Sequence, residues 1–176
     1  GGDAPGDLLL VPLCGRTRHA VHLFLCTVDL EAPAEVRVIA ERAARIPGVV
    51  ALNLLKNYGQ HRANLAGFRA ATGDYVITMD DDLQNPPTEV LRLIEQARLG
   101  HDVVYGAPES KQAPGYRRLG SRLISLINRR IFGQPSDLVV SNFRILRRDV
   151  VDRICADNTA NPSITGQALL YSSNPV

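Results

Sequence analysis

Cysteine is scarce in this chain, and long apolar runs are absent. The three cysteines, Cys14, Cys26 and Cys155, lie far apart and are odd in number. That pattern fits neither a disulfide framework nor a tetrahedral zinc site, and a reducing compartment is the default it leaves. No apolar stretch approaches the roughly 18 residues that a membrane-spanning helix needs. Leu8–Leu13 is short and lacks the flanks of a signal peptide. An excess of charge is missing too: 20 Lys and Arg face 18 Asp and Glu, for a formal net charge of +2. So weak a whole-chain field argues neither for nor against nucleic acid, and no other feature leads us to expect a nucleic-acid partner. Methionine occurs once, at Met79, and the chain opens with Gly1-Gly2 and stops at Asn174-Pro175-Val176. We read it as a fragment or a processed chain. With 176 residues, 45% of them hydrophobic and 22% charged, it is long enough for one well-cored domain.

From Ala20 onward, strand-like runs alternate with helix-like stretches. Val21–Val28 reads as a strand, Ala34–Arg45 as a helix between Pro33 and Pro47-Gly48, and Val49–Leu54 as a second strand. Gln60–Ala71 is helical and ends at Gly73. Tyr75–Met79 is almost wholly apolar, as a strand buried on both faces would be. A helix over Pro86–Leu99 repeats Val90, Leu93, Ile94 and Ala97 at helical spacing. Asn85 can cap it, Pro86 suits its first position, and Gly100 ends it. Asp102–Tyr105 is a further strand. This order predicts an α/β fold with a mostly parallel sheet and helices on both faces. In such sheets the ligand binds beyond the carboxyl ends of the strands.

That rule directs attention to Asp80-Asp81-Asp82-Leu83-Gln84, which follows Met79 directly. Three carboxylates at the end of a buried strand repel one another and lose hydration unless a cation compensates. Their hard oxygens suit Mg²⁺ or Mn²⁺ with substrate phosphates completing the shell. Alone, such a triplet is more often a solvated loop capping the next helix. The strand before it and Asn85-Pro86-Pro87 after it place it at the ligand edge. The loop from Asn57 to Arg62 also opens a helix after a strand. Its backbone N–H groups can face a nucleotide, with Gly59 permitting close approach. An ordinary turn explains the same residues. His61 reads as a hydrogen-bonded loop residue rather than a base.

Two segments carry a resemblance: Asn57-Tyr58-Gly59-Gln60-His61 and the gapless run from Gly73 to Pro87 through Asp80-Asp81-Asp82-Leu83-Gln84. Together they resemble family 2 glycosyltransferases, closest to the polyprenyl-phosphate sugar transferases. Dolichyl-phosphate mannose synthases and undecaprenyl-phosphate aminoarabinose transferases are of this type. The resemblance covers roughly Val49 to Ile154. It implies a GT-A (Rossmann-like) domain, incomplete at both ends. It further implies that Asp82 and Gln84 coordinate the metal, with Asp80 against the nucleotide sugar and the metal shell. Asp81 fills the variable position of the motif and joins Asp80, Asn57 and Gly59 as a donor-binding candidate. Metal on a departing nucleoside diphosphate would stabilise the charge that builds as the glycosidic bond breaks.

Residues 107–116 are rich in Pro, Gly and polar side chains and read as a mobile loop. Residues 117–132 form an amphipathic pattern. Leu119, Leu123, Leu126, Ile127 and Ile131 share one face, and Arg118, Arg122 and Arg129 share a neighbouring strip. Spacing alone allows either a helix packed on the sheet or one lying on a membrane; the resemblance favours the membrane. Ser141-Asn142-Phe143-Arg144 then resembles the family's signature for the lipid phosphate. Arg144 is the candidate grip, because a guanidinium holds phosphate by two donors. Arg118, Arg122 and Ser141 are the further acceptor-phosphate candidates. Asp137 is a candidate base, although a phosphate acceptor is already an anion and can react without one.

Residues 1–35 are atypical for the family. Val11-Pro12 matches the expected first strand, but the residues after it do not. Cys26-Thr27-Val28-Asp29 stands where a doubled acid is expected, and Asp29 is the substitute donor-site candidate. The expected function is transfer of a sugar from a UDP- or GDP-type donor to a polyprenyl phosphate. It would take place at the inner, cytoplasmic face of the membrane, with self-association open. The competing readings are a family 2 transferase with a soluble or polysaccharide acceptor, and a degenerate GT-A domain that only binds. A metal-dependent phosphatase or nuclease ranks last, since no second acidic or histidine cluster stands nearby.

Overall fold

The computed structural model describes residues 7–12, 21–27, 41, 43–46, 49–55, 57–80, 85–86, 88–106, 130 and 138–176. The strands are β1 (Asp7–Pro12), β2 (Val21–Thr27), β3 (Val50–Asn53), β4 (Tyr75–Asp80), β5 (Val103–Tyr105) and β6 (Arg144–Arg147). The helices are α1 (Gln60–Ala70), α2 (Glu89–Arg98), α3 (Arg148–Ala156) and α4 (Ile164–Tyr171). Glu41 and Ala43–Arg45, the described part of the helix expected over 34–45, are helical as well.

All six strands join one sheet in the order β3-β1-β2-β4-β6-β5. The four strands expected from apolar runs, β2, β3, β4 and β5, all point the same way. The expectation of mostly parallel neighbours is corrected. Among the named strands only β2 and β4 pair in parallel, because β1 lies antiparallel between β3 and β2, and β6 antiparallel between β4 and β5. The start of α2 is also corrected, from Pro86 to Glu89. Pro87 disfavours helical geometry at the residue before it. The chain instead makes a tight turn in which Pro86 O accepts from Glu89 N at 2.9 Å.

Side chains alternate across the sheet, and each face has its own helical cover. On one face Ile77, Met79, Val104, Phe143 and Ile145 pack against Val90, Leu93 and Ala97 of α2. On the other face Val76, Val103 and Leu146 meet Ala63 and Phe68 of α1, Val150, Val151 and Ile154 of α3, and Ile164, Ala168 and Leu169 of α4. Full burial of one such large aliphatic side chain contributes about 1.5–3 kcal/mol.

After α4 the chain returns along β5. Tyr105 N donates to Val176 O at 2.7 Å, and Val176 N donates to Val103 O at 3.0 Å. Asp102 pins this strap: its carboxylate accepts from Ser172 Oγ at 2.5 Å, Ser173 N at 2.6 Å and Asn174 N at 3.0 Å. Burial alone would raise the Asp102 pKa. The bonds from Ser172, Ser173 and Asn174 outweigh it and hold the carboxyl below its ordinary value.

Candidate active site

The pairing register shows where core gives way to site. Across β4, β6 and β5, Val76 faces Leu146 and Leu146 faces Val103, an apolar row. Two residues further toward the carboxyl end of β4, the row on the same face is Thr78, Arg144 and Tyr105. Asp80, the next β4 residue on that face, stands at the rim.

Arg144 is fully buried. Its Nη1 donates to Thr165 Oγ1 in the first turn of α4 at 2.8 Å. Its Nε and Nη2, the two donors of the lateral fork of a guanidinium, make no well-formed hydrogen bond among the described residues, although the Tyr105 hydroxyl is near enough to interact with the guanidinium. Burial pushes the Arg144 pKa down, while Tyr105 and then Asp80 act in the opposite direction. The Tyr105 hydroxyl, beside that guanidinium, and Oδ1 of Asn64, one helical turn beyond Gln60, are likewise buried with no well-formed hydrogen bond among the described residues. An unmet buried donor or acceptor costs about 1–3 kcal/mol, and more on a charged group. Several of them gathered at one sheet edge call for a functional explanation.

The helix start of α1 faces the same edge. Asn57 Oδ1 accepts from Gly59 N at 2.8 Å, a tight side-chain turn. Gly59 has φ 81°, a conformation L side chains rarely adopt, so glycine is required there for the turn into α1. The first turn of α1 carries no acidic residue and no side-chain cap, so nothing within the helix itself offsets its positive end. Gln60, the first helical residue, donates from Nε2 to Asp80 Oδ1 at 2.9 Å. Its Oε1 accepts from Asn142 Nδ2 at 3.2 Å. Burial, then the nearby Arg144 charge, lowers the His61 pKa; no geometry assigns it a base's role.

Ser141 braces the entry to β6. Its hydroxyl lies 2.8 Å from both Gly106 O and Phe143 O and shares one proton between them. Gly106 packs against Phe143 so closely that a Cβ there would lie 2.2 Å from the ring.

Residues 26–155 match the profile described as Glycosyl transferase family 2. The chain belongs to glycosyl transferase family 2. Among its relatives are proteins named undecaprenyl-phosphate 4-deoxy-4-formamido-L-arabinose transferase. One from Pseudomonas fluorescens (strain Pf-5) is 40% identical over 145 residues, 81% of this chain and 42% of the relative. One from Sodalis glossinidius is 37% identical over 144 residues, 81% of this chain and 44% of the relative. Another, from Pseudomonas fluorescens (strain SBW25), is 48% identical over 108 residues, 61% of this chain and 32% of the relative. The chain therefore spans less than half the length of these curated relatives. The family match begins at residue 26, so β1 and most of β2 precede it.

In this family 2 domain, the edge gathers four of the residues singled out from sequence: Asp80, Gly59 beside Asn57, and Arg144, with Ser141 bonded into the backbone beside them. Asp29, Asp81, Asp82, Gln84, Arg118, Arg122 and Asp137 lie outside the described residues, as does the 107–116 loop. Of the amphipathic stretch 117–132 only Arg130 is described, helical and exposed. Gln60, Asn142, Tyr105 and Thr165 join the site from structure alone. Among the described residues, no three His, Cys, Asp or Glu side chains converge on one point. Asp80 supplies a carboxylate with the Gln60 amide beside it, hard-oxygen chemistry of the kind that suits Mg²⁺ or Mn²⁺.

Proposed function

We propose that this domain transfers a sugar from a nucleoside-diphosphate donor of UDP or GDP type to a polyprenyl phosphate. It does so at the inner face of the membrane with a divalent cation, Mg²⁺ or Mn²⁺. The names of the relatives supply the acceptor class. The observation that carries the reading is the lateral fork of Arg144, a buried cation whose two in-plane donors find no well-formed hydrogen bond among the described residues, with Asp80 near enough to act on its charge. A phosphate oxygen pair is the natural complement of such a fork. Thr165 holds the third corner of the guanidinium, so the fork is oriented before any ligand arrives.

Asp80 would hold the cation together with Asp82 and Gln84. When bound, the cation stabilises charge on the departing diphosphate. On the protein's side, the positive end of α1 favours anions at the Asn57–Gly59 turn. Asp81 and Asp29 remain donor-side candidates, and Asp137 a candidate base. Arg118, Arg122 and Ser141 are candidate second contacts to the acceptor phosphate. Among the described residues no helix is long and apolar enough to cross a membrane, and residues 117–132 would supply the contact with the membrane surface.

The test is calorimetric titration of UDP and of GDP into the chain, with and without Mn²⁺, for wild type and Asp82→Ala. A parallel arm measures sedimentation with vesicles that contain or lack undecaprenyl phosphate, for wild type and Arg144→Leu. Metal-dependent binding of one nucleotide, lost in Asp82→Ala, together with phosphate-dependent recruitment lost in Arg144→Leu, is expected. Nucleotide binding with no response to the lipid phosphate would point to a soluble acceptor. Binding of neither nucleotide by the folded wild type would sink the catalytic reading.

A further inference from the structure

We propose that Asn142 is a positioning residue for Asp80, acting through the side-chain amide of Gln60. The proposal rests on the reading of Asp80 as part of the donor and cation site, and deepens it. The chain of contacts begins and ends on β4. Thr78, buried on β4, donates its hydroxyl to the backbone carbonyl of Asn142. Asn142 Nδ2 donates to Gln60 Oε1 at 3.2 Å, and Gln60 Nε2 donates to Asp80 Oδ1 at 2.9 Å. Asp80 lies two residues beyond Thr78 on the same strand face, so the relay closes a loop around the strand end.

The direction of each amide follows from the groups at its ends. A carboxylate can only accept, so Gln60 must turn its NH₂ toward Asp80. That leaves its carbonyl oxygen facing Asn142, which must answer with a donor. A flip of either amide would set oxygen against oxygen. Glutamine alone, at the start of a helix and without a second contact, would swing its flexible side chain away from Asp80 among other rotamers. Asn142 removes that freedom, and its own backbone is fixed by Thr78 and by the flanking Ser141 brace to Gly106 and Phe143. The result is an uncharged donor held on one named oxygen of Asp80. It orients the carboxylate without adding a second cation that would compete with a metal.

The relay gives an order of effects that a space-filling role would not. Asn142→Asp keeps shape but replaces the donor with an acceptor, which forces the Gln60 amide to flip against Asp80. Asn142→Ala removes the restraint without forcing the flip. Positioning therefore predicts that Asp is worse than Ala, whereas packing predicts the reverse.

Two measurements on the 176-residue chain decide it. In NMR spectra the side-chain NH₂ signals of Gln60 should shift in Asn142→Ala and shift further in Asn142→Asp, with the backbone spectrum otherwise retained. Gln60 signals that do not respond to Asn142→Ala would overturn the relay. In titrations of UDP and GDP with Mn²⁺, Asn142→Ala should weaken binding about fivefold, the value of one ordinary hydrogen bond, and Asn142→Asp by more. Gln60→Leu, at a partly buried position, should match Asn142→Ala or exceed it. Adding Asn142→Ala to Gln60→Leu should then change nothing further. Equal affinities in all variants would overturn the positioning role even where the NMR coupling is present. Should wild type bind no nucleotide, the functional reading fails on its own, and the Gln60 signals still decide whether the relay exists.

Discussion

On the α2 side of the sheet, β4, β6 and the segment leading into β6 present Ile77, Met79, Ile145 and Phe143, all apolar and buried. On the α1, α3 and α4 side, the alternate residues of the same strands begin as core with Val76 and Leu146 and finish as Thr78, Arg144 and Asp80. The two faces share one backbone, so strand geometry cannot account for the difference. It comes from a step of two residues along the strand, which leaves the side-chain direction unchanged and carries the row to the edge where α1 begins. A face that is core throughout stabilises; a face that turns polar at one end holds unmet donors where a ligand can meet them.

Breaking the apolar face should give the largest effect. Ile145→Ala is expected to cost about 2–5 kcal/mol in denaturant unfolding, because a fully buried side chain is lost beneath α2. Gly106→Ala should follow at about 1–3 kcal/mol by the same measurement, since the new methyl group must displace the Phe143 ring. Thr165→Val removes the Thr165 hydroxyl that accepts from Arg144 Nη1 and should cost about 1 kcal/mol, with a larger proportional loss in recruitment to vesicles containing polyprenyl phosphate. Arg144→Leu sharpens the comparison most. Replacing a buried and poorly satisfied charge with an apolar group should leave stability within about 1 kcal/mol of wild type, or raise it, while vesicle recruitment is lost. A large stability loss there would mean that the polar row is structural.

The smallest effect concerns pH. The His61 pKa lies below its ordinary value of 6.5, so the folded state binds its proton less readily than the unfolded chain does. Stability should be unaffected by His61 above 6.5 and should fall as pH drops from there through the folded pKa. His61→Asn should flatten that acid-side decline in melting temperature and leave the neutral range unchanged.

Most of the sheet was legible in the sequence, because β2, β3, β4 and β5 are short apolar runs between turn residues. Two strands were not. β6 is Arg144-Ile145-Leu146-Arg147, and its arginines draw the eye to phosphate chemistry rather than to strand pairing. β1 was anticipated only by the match of Val11-Pro12 to the family's first strand, and nothing local indicates its antiparallel place between β3 and β2. α3 carried a readable signal in Val150, Val151 and Ile154, overlooked because it follows the arginine motif. α4 did not, since Ile164, Gly166, Gln167, Ala168 and Leu169 are all buried and leave no polar face to set the period. In the site, Asp80 and Arg144 stood out by residue type and position. Gln60, Asn142, Tyr105 and Thr165 acquire meaning only from partners distant in sequence, such as Asn142 and Gln60, 82 residues apart. Local patterns carry no record of such pairings.

The strap formed by Ser172–Val176 has a practical consequence. Without it, β5 would end the sheet with open N–H and C=O groups, a template on which a second molecule could add a strand. Asp102 would at the same time lose its three donors and become a stranded acid at the base of that edge. Trimming the chain at Tyr171 should therefore yield a protein that folds but self-associates, with aggregation rising with concentration, and any shortened version made for crystallisation should keep Val176.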